Sequence, residues 1–576
     1  PAIGGNGILV TNPIPVPQRP KSTTTSGTKT SGNSGTAPTN QGGLDAGRDE
    51  QIDESGENER GPSTGAAVDR VYQSLINYKA DENEDEDAFF SHVKRFNDNL
   101  AALEVLLTIE KETRFATAEE QVILSKYVGW GGLKGLLLNP KIDSHWEGQS
   151  DKERQRVQKL HDLIAELDPE GKHSLLLKAQ HSAETAFFTA VPIIRAMYTA
   201  LEQMGVKGPI DVLEPSAGIG NFFAAMPKTM HDHANMHGIE MDYLSAKILK
   251  QLYQKAEVQS SKMEKALVHE NYFDVVVGNV PFGDQAIKSD TNFNEKYPEL
   301  KKEPNNFIHN YFFIKSVDAA REGGIIALIT STGTMDSKSS KEFRKVLSQK
   351  AELLGVIRLP NTAFAANANT SVTSDIIFLR KYRADENPKE ADWVETTETI
   401  VKHEKPGLLG LTTIKVDAEV TVNPYFLKNP KAIIGIPAAG SFHGGTNLRY
   451  MVENDKTDER PLDEKINAAT AELLPKNIYA KGKKTVIDQE TKPYFREAGT
   501  KEGDFTPGNV IVQNGQAFRI TAEYAIDQQL DKAAKAVGVS PDEIRNNQIS
   551  KFDEERLATV GLKKEDFFIR VIEPIR

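Results

Sequence analysis

The sequence predicts an α/β chain: a mostly parallel seven-stranded sheet, preceded by a helical N-terminal region and followed by a C-terminal α+β region. Three observations carry this. Between about 181 and 385, short apolar runs alternate with helical stretches; the first run ends in a glycine-rich Glu-Pro turn; the fourth ends in an asparagine followed by Val-Pro-Phe. Strands alternating with helices build parallel sheets covered on both faces, and ligands of such sheets sit at the carboxyl ends of the strands.

The bulk properties set bounds. A chain of 576 residues is too long for one core, so about two to four folding units are expected. It has no cysteine, which excludes a disulfide framework and thiolate chemistry and fits an intracellular location. No apolar run reaches about 18 residues, so neither a membrane span nor a signal peptide is expected. The formal charge of −12 is concentrated. Residues 41–60 hold seven acids against Arg48 and Arg60, and "DENEDED" (81–87) adds six acids and no base. The remainder is close to neutral, which leaves room for a basic face on the folded part.

Residues 1–66 are rich in Gly, Ser, Thr, Pro and Asn and are expected to be a disordered tail. Its first residue, Pro1, fits either removal of an initiator methionine or trimming of a longer chain. Residues 67–180 read as helical: "AFFSHVKRFNDNLAALEVLL" (88–107) spaces apolar residues by three and four, and Thr117 with Glu120 makes a capping box before "QVILSKYVGWGGL". Residues 146–168 form another expected helix, with Lys152, Arg154, Arg156 and Lys159 on a solvated side. Residues 181–385 form the sheet-based domain, with strands expected at 210–215, 236–241, 256–260, 273–279, 324–331, 352–360 and 374–381. Residues 386–576 form the C-terminal region, read as a separate α+β unit with strands in 508–521 and helices in 462–473, 523–537 and 541–559.

The strand ends carry the chemistry. The first run ends "EPSAGIGNF" (214–222), where Gly218 and Gly220 allow a tight turn and close approach of a ligand to the backbone. Gly-x-Gly alone is not specific. Without a third glycine or a following Gly-Lys-Ser/Thr, it disfavours pyrophosphate and triphosphate ligands. Glu240 ends the second run, 26 residues after Glu214, and suits the two hydroxyls of a ribose, although a plain surface acid would look the same. Glu264, after the third run, could accept from the exocyclic amine of an adenine. At the end of the fourth run, the Asn279 side chain and the Val280 carbonyl are acceptors, Pro281 stiffens the turn, and Phe282 offers a flat face. Together they describe a pocket for a planar ring bearing an amino group; a strand-terminal turn with a core Phe is the plainer alternative.

With these residues placed, the chain resembles the S-adenosylmethionine-dependent N6-adenine DNA methyltransferases, whose Asn-Pro-Pro-Phe/Tyr motif corresponds to Asn279–Phe282. Their Asp/Glu-Pro-x-x-Gly-x-Gly motif corresponds to Glu214–Gly220, including Ser216 and Ala217. "AETAFFTAVPIIRAMY" (183–198) is similar to their Tyr-Tyr-Thr-Pro segment at the methionine end of the cofactor: Phe187, Phe188 and Thr189 match, and Ala190 replaces the proline. The block order is that of the γ arrangement. A closer resemblance, over about 115–430, is to the methyltransferase parts of methyltransferase–helicase fusions of phages and conjugative elements. It is carried by "YVGWGGL" (127–133), "GNVPFG" (278–283), "HNYFFIKSVDAAREGGIIALITS" (309–331), "IRLPNTAF" (357–364) and "NPYF" (423–426). Val280 departs from the general motif and fits this subgroup, leaving the backbone acceptor in place.

The resemblance implies a Rossmann-like class I methyltransferase fold, S-adenosylmethionine as cofactor and no metal. The implied substrate is the N6 amine of an adenine flipped from DNA, and cytosine C5 methylation is excluded by the missing cysteine. Asn279, Val280, Pro281 and Phe282 are the expected catalytic set. Phe188, Thr189, Glu214, Ser216, Ala217, Gly218, Gly220, Glu240 and Glu264 are the expected cofactor contacts. Trp130 either contacts DNA or the site rim, or packs as a helix-capping aromatic under the sheet. His309, Asn310, Arg358 and Asn361 either line the pocket or play capping roles. No helicase motif is present, so the chain reads as a stand-alone form or a piece of something longer. A helicase or nuclease partner fits the fusions, and target recognition is expected in the C-terminal region. The expected setting is modification or antirestriction of phage or mobile-element DNA, in the cytoplasm of a bacterial or phage-infected cell or with a virion. A vestigial, non-catalytic DNA-binding protein and an RNA or protein N-methyltransferase are the competing readings.

Overall fold

The computed structural model describes residues 75–80, 92–112, 114–130, 140–142, 150–168, 175–176, 189–283, 285–302, 305–364, 372–406, 413–441 and 447–482, together with six short backbone strands near the two ends. In chain order the main elements are α1 (His92–Glu112), α2 (Ala118–Leu124), α3 (Asp151–Leu167), α4 (Val191–Gln203), β1 (Asp211–Glu214), β2 (Asn235–Glu240), α5 (Tyr243–Leu252), β3 (Glu257–Ser260) and β4 (Phe273–Asn279). There follow α6 (Ile308–Ala319), β5 (Ala320–Ser331), α7 (Lys341–Lys350), β6 (Ala351–Leu359), β7 (Ser374–Lys381), β8 (Thr397–Pro406), β9 (Thr413–Val422), β10 (Ile436–Gly440), β11 (Arg449–Glu453) and α8 (Leu462–Leu473).

All seven expected strands join one sheet in the order β3-β2-β1-β4-β5-β7-β6. The first six in sequence run parallel, and β7 enters antiparallel to both β5 and β6. From β1 the chain moves outward to β2 and β3, then returns to place β4 on the other side of β1. That reversal opens a crevice at the carboxyl ends of β1 and β4, the topological switch point of an open α/β sheet.

Alternate residues of each strand face opposite sides, as the pleat dictates. Val212, Val275, Val277, Ile325 and Ala327 pack in one buried cluster with Leu103, Leu106 and Trp130 of the N-terminal region, with Met197 and Leu201 of α4, and with Leu244 and Ile248 of α5. Leu213, Val276, Ile326, Leu328 and Ile377 pack in the other, against Phe313 and Phe343. Trp393, Val420, Val422, Phe426, Tyr450 and Val452 belong to this second cluster. Packing therefore continues through residue 386 without a break: the sheet β9-β8-β10-β11 covers the second face, and α8 covers the first through Ile466 and Ala469.

Local signals read from the sequence hold at atomic detail. The Thr117 hydroxyl accepts from the Glu120 N–H at 3.3 Å, and the Glu120 carboxylate accepts from the Thr117 N–H at 2.8 Å, the reciprocal bonds of a capping box. The N-terminal helices are tied to α5 by amide side chains. Gln251 Oε1 accepts from Ala116 N (2.8 Å), Gln121 Nε2 donates to the Gln251 carbonyl (2.9 Å), and Gln254 Nε2 donates to the Ala116 carbonyl (2.7 Å). On α3, Lys159 pairs with Glu104 and Arg154 donates to the Pro140 carbonyl.

The ends differ from expectation in two places. Ala2–Gly4 and Ile8–Val10 are strands, and the second pairs in parallel with residues 570–572. The rest of the tail lies outside the described residues. The strand Gln516–Ala525 occupies the start of the expected helix 523–537. The remainder of that helix and the one at 541–559 fall outside the described residues.

Candidate active site

Glu214 closes β1 and is buried, and its Oε2 has no hydrogen-bond partner among the described residues. Burial first, and the nearby charge of Glu240 second, raise its pKa well above the ordinary carboxylate value. A buried carboxyl with a vacant acceptor is costly unless a donor completes it.

The turn that follows is held at three points. The Ser216 hydroxyl donates to the Asn279 carbonyl at 3.2 Å, Ala217 N donates to the Ile239 carbonyl at 2.9 Å, and Gly218 N donates to Glu240 Oε2 at 2.7 Å. Gly218 and Gly220 adopt φ of 54° and 88°, the left-handed region that favours glycine. At Gly220, however, close packing also sets the requirement. A Cβ there would stand 2.4 Å from the Tyr253 ring and 2.7 Å from Leu249, and the Tyr253 hydroxyl donates to the Gly220 carbonyl at 2.8 Å. Ligand approach, expected at both glycines, is not what fixes Gly220.

Glu240 ends β2, with Oε1 accepting from Asp242 N at 2.6 Å. The residue keeps some exposed surface, but its carboxylate is enclosed. Burial, then the charge of Asp242, push its pKa up to about 7. Asp242 caps α5 by accepting from Ser245 N at 2.8 Å. Between the two acids stands Met241, a large apolar side chain 63% exposed. The sequence reading missed it; its signal was an unpaired hydrophobe directly after a strand-terminal acid. Glu264 is half-buried and accepts from the Ser289 hydroxyl at 3.4 Å.

Asn279 ends β4, next to β1. Its Oδ1 is buried and has no partner among the described residues. Val280 is buried, and its N–H donates to the Ile329 carbonyl at 3.1 Å, fixing the start of the turn. Pro281 and Phe282 are half-buried, and Phe282 packs partly on the core beneath, less exposed than the free platform the sequence suggested. Thr189 is buried, and its Oγ1 has no partner among the described residues, whereas Phe187 and Phe188 lie outside them. Ala190, where the resemblance expects proline, is the residue preceding α4 and makes no side-chain cap. Tyr198, on α4, places a buried, unpartnered hydroxyl close enough to Glu214 for that charge to help raise its pKa. It too was missed, because an apolar helix face and a site-facing tyrosine have the same spacing.

Other candidates fall elsewhere. His309 and Asn310 are buried in the first turn of α6, whose cap position is Phe307, so neither caps it; Asn310 Nδ2 donates to the Ser340 hydroxyl at 3.4 Å. Arg358 is fully buried. It grips Asp375 with two bonds of 2.7 and 2.8 Å and Asp336 with one of 2.7 Å, and its guanidinium lies 3.7 Å from the Phe426 ring centre. It joins β6, β7 and the Asn-Pro-Tyr-Phe segment, so it serves the fold. Asn361 donates its N–H to the Val452 carbonyl at 2.7 Å. Trp130 is buried beside Tyr127.

The strand order, with its antiparallel seventh strand, is that of a class I methyltransferase fold, and acidic residues end its first two strands. Residues 175–413 match the model of the N-6 DNA Methylase family. Over 201 residues the chain is 31% identical to "Defense against restriction protein B" of Escherichia phage P1, a stretch of 34% of this chain and 8% of the phage protein. The match thus spans less than a tenth of that relative. Among solved structures, the chain is similar to a proposed class I S-adenosylmethionine-dependent methyltransferase of Listeria monocytogenes, at 16% identity, TM-score 0.32, covering 52% of this chain and 91% of that one. It is also similar to a type I restriction-modification methyltransferase subunit of Streptococcus thermophilus, at 16% identity, TM-score 0.32, covering 56% and 73%. The strand order, not these two likenesses, defines the fold.

Proposed function

We propose that the protein transfers a methyl group from S-adenosylmethionine to the N6 amine of a flipped adenine in DNA. The observation that carries this reading is the buried, partnerless Oδ1 of Asn279 at the switch point, at the end of the strand next to the one that ends in Glu214, whose Oε2 is equally partnerless among the described residues. The vacant buried atoms here are acceptors or hydroxyls: Thr189 Oγ1, Tyr198 OH, Glu214 Oε2 and Asn279 Oδ1. They complement a ligand rich in N–H and O–H donors, as the amino-acid and ribose portions of S-adenosylmethionine and an adenine amine are.

In this reading Glu214, with Phe188 and Thr189, holds the amino-acid end of the cofactor. Ser216 to Gly220 form the turn beneath it, Glu240 accepts from the ribose hydroxyls, Met241 covers the cofactor's adenine, and Glu264 accepts from its amine. The cofactor supplies a methyl group activated on a sulfonium. Asn279 Oδ1 and the Val280 carbonyl would accept the two N–H bonds of the target amine, which leaves its lone pair free to attack. Phe282 would stack on the flipped ring. Alignment and charge placement are the catalytic work, without a covalent enzyme intermediate. The family match supports adenine in DNA as the target, and the likeness to a phage protein named for defence against restriction supports mobile-element DNA as the setting.

The test is incubation with unmodified DNA and methyl-labelled S-adenosylmethionine, followed by nucleoside analysis. N6-methyladenine is expected. Label on cytosine, or on protein or RNA alone, would overturn the reading, as would the absence of any thermal shift with the cofactor.

A further inference from the structure

The block "YVGW" (127–130) lies outside the parallel-sheet domain, yet its tyrosine meets the start of α5, the helix that follows Glu240 and Asp242. The Tyr127 hydroxyl sits beside Ser245 at the start of α5, and burial together with the charges of Asp242 and Glu240 raises its pKa. The Trp130 ring meets the Tyr127 ring edge to face, with centroids 5.9 Å apart and planes at 88°. The segment between them is rigidly held. Asn99, fully buried on α1, accepts from Val128 N at 2.9 Å and donates to the Gly129 carbonyl at 2.7 Å, while Gly129 takes a φ of 67°. The amide ties from Gln251 and Gln254, and the Lys247–Glu110 ion pair at 2.8 Å, hold α1 and α2 on α5. This machinery fixes a side chain whose polar atom is unused: Trp130 is 1% exposed, and its Nε1 has no hydrogen-bond partner among the described residues. A buried indole N–H ordinarily finds an acceptor.

We propose that the Tyr127–Trp130 turn of the N-terminal helical region is a wall of the cofactor site, with the Trp130 indole N–H donating to an acceptor atom of bound S-adenosylmethionine. Among the other vacant buried atoms of the site, Glu214 Oε2 and Asn279 Oδ1 accept and the Thr189 and Tyr198 hydroxyls can do either, whereas the Trp130 N–H can only donate. The N-terminal region then becomes part of the binding unit, and a domain cut at residue 181 would lack a cofactor contact. The inference rests on the methyltransferase reading above.

The experiment measures S-adenosylhomocysteine binding to the full chain and to Trp130→Phe, which removes the N–H and keeps most of the ring volume. A loss of roughly tenfold in affinity is expected, the scale of one lost hydrogen bond to a ligand. A second measurement keeps the test intact if that variant folds poorly. In a Trp146→Phe/Trp393→Phe background, Trp130 fluorescence should change on titration with S-adenosylhomocysteine. Wild type that fails to bind defeats the methyltransferase reading itself. Wild type that binds, with Trp130→Phe binding equally well or Trp130 fluorescence unmoved, overturns this inference alone.

Discussion

The Ser216 hydroxyl donates to the backbone carbonyl of Asn279 at 3.2 Å, joining the turn after β1 to the carboxyl end of β4. One bond thus ties the candidate cofactor turn to the candidate catalytic turn across the switch point. It occupies the Asn279 carbonyl, while the side-chain Oδ1 has no partner among the described residues.

Ser216→Ala should therefore loosen the catalytic turn without dismantling the cofactor site. A net loss of about 1 kcal/mol corresponds to roughly a fivefold fall in kcat. The change in cofactor affinity should be smaller. Steady-state kinetics separate the two, and an affinity loss with unchanged kcat would assign Ser216 to cofactor binding instead.

Glu240 gives a pH signature. Its folded pKa is raised from 4.5 to about 7, so the folded state holds a proton there that the unfolded chain has released. Its contribution to stability is full below about 4.5 and is lost as pH rises through about 7. Ribose hydroxyls donate best to the ionised form, so cofactor affinity should move the other way, tightening by roughly tenfold between pH 6 and 8. Glu240→Gln should flatten that profile. Titrations of S-adenosylhomocysteine at the two pH values check it, and weaker binding at pH 8 would remove Glu240 from the ribose role.

Arg358 should behave as a structural residue. Removing it leaves Asp375 and Asp336 buried without their shared cation, and breaking a buried pair in this way costs about 3–5 kcal/mol. Arg358→Lys cannot reproduce the two parallel bonds to Asp375 and should also lower the melting temperature. Chemical denaturation measures the loss. A variant of wild-type stability with impaired DNA methylation would return Arg358 to the site.

The comparison of Asn279 with Asn423 shows where the sequence is legible. The seven strands of the sheet could be read because each is an apolar run between helical stretches, and the capping box at Thr117 because its two partners are local. Both asparagines follow a strand and precede a turn containing proline and phenylalanine, and Asn-Pro-Tyr-Phe at 423–426 looks the more like a catalytic motif. Block order singles out Asn279, and the fold gives the physical reason. The Asn423 side chain is fully used: Nδ2 donates to the carbonyls of Met335 and Trp393, and Oδ1 accepts from Tyr425 N to cap a short helix. Asn279 ends a parallel strand at the switch point with its Oδ1 vacant. Tyr198 and Met241 stayed illegible, and Trp130 stayed open between the site rim and the core, for the same reason. Whether such a residue faces a core, a ligand or solvent depends on segments distant in the chain, and periodicity records only the local face.

The most direct measurement compares wild type with Asn279→Ala on unmodified DNA, scoring N6-methyladenine formation and S-adenosylhomocysteine binding in the same preparations. The account predicts N6-methyladenine with wild type, and with Asn279→Ala a loss of methylation while cofactor affinity stays within about twofold, since Asn279 addresses the target amine rather than the cofactor. Methylation retained by Asn279→Ala, or found only on another base, would contradict it.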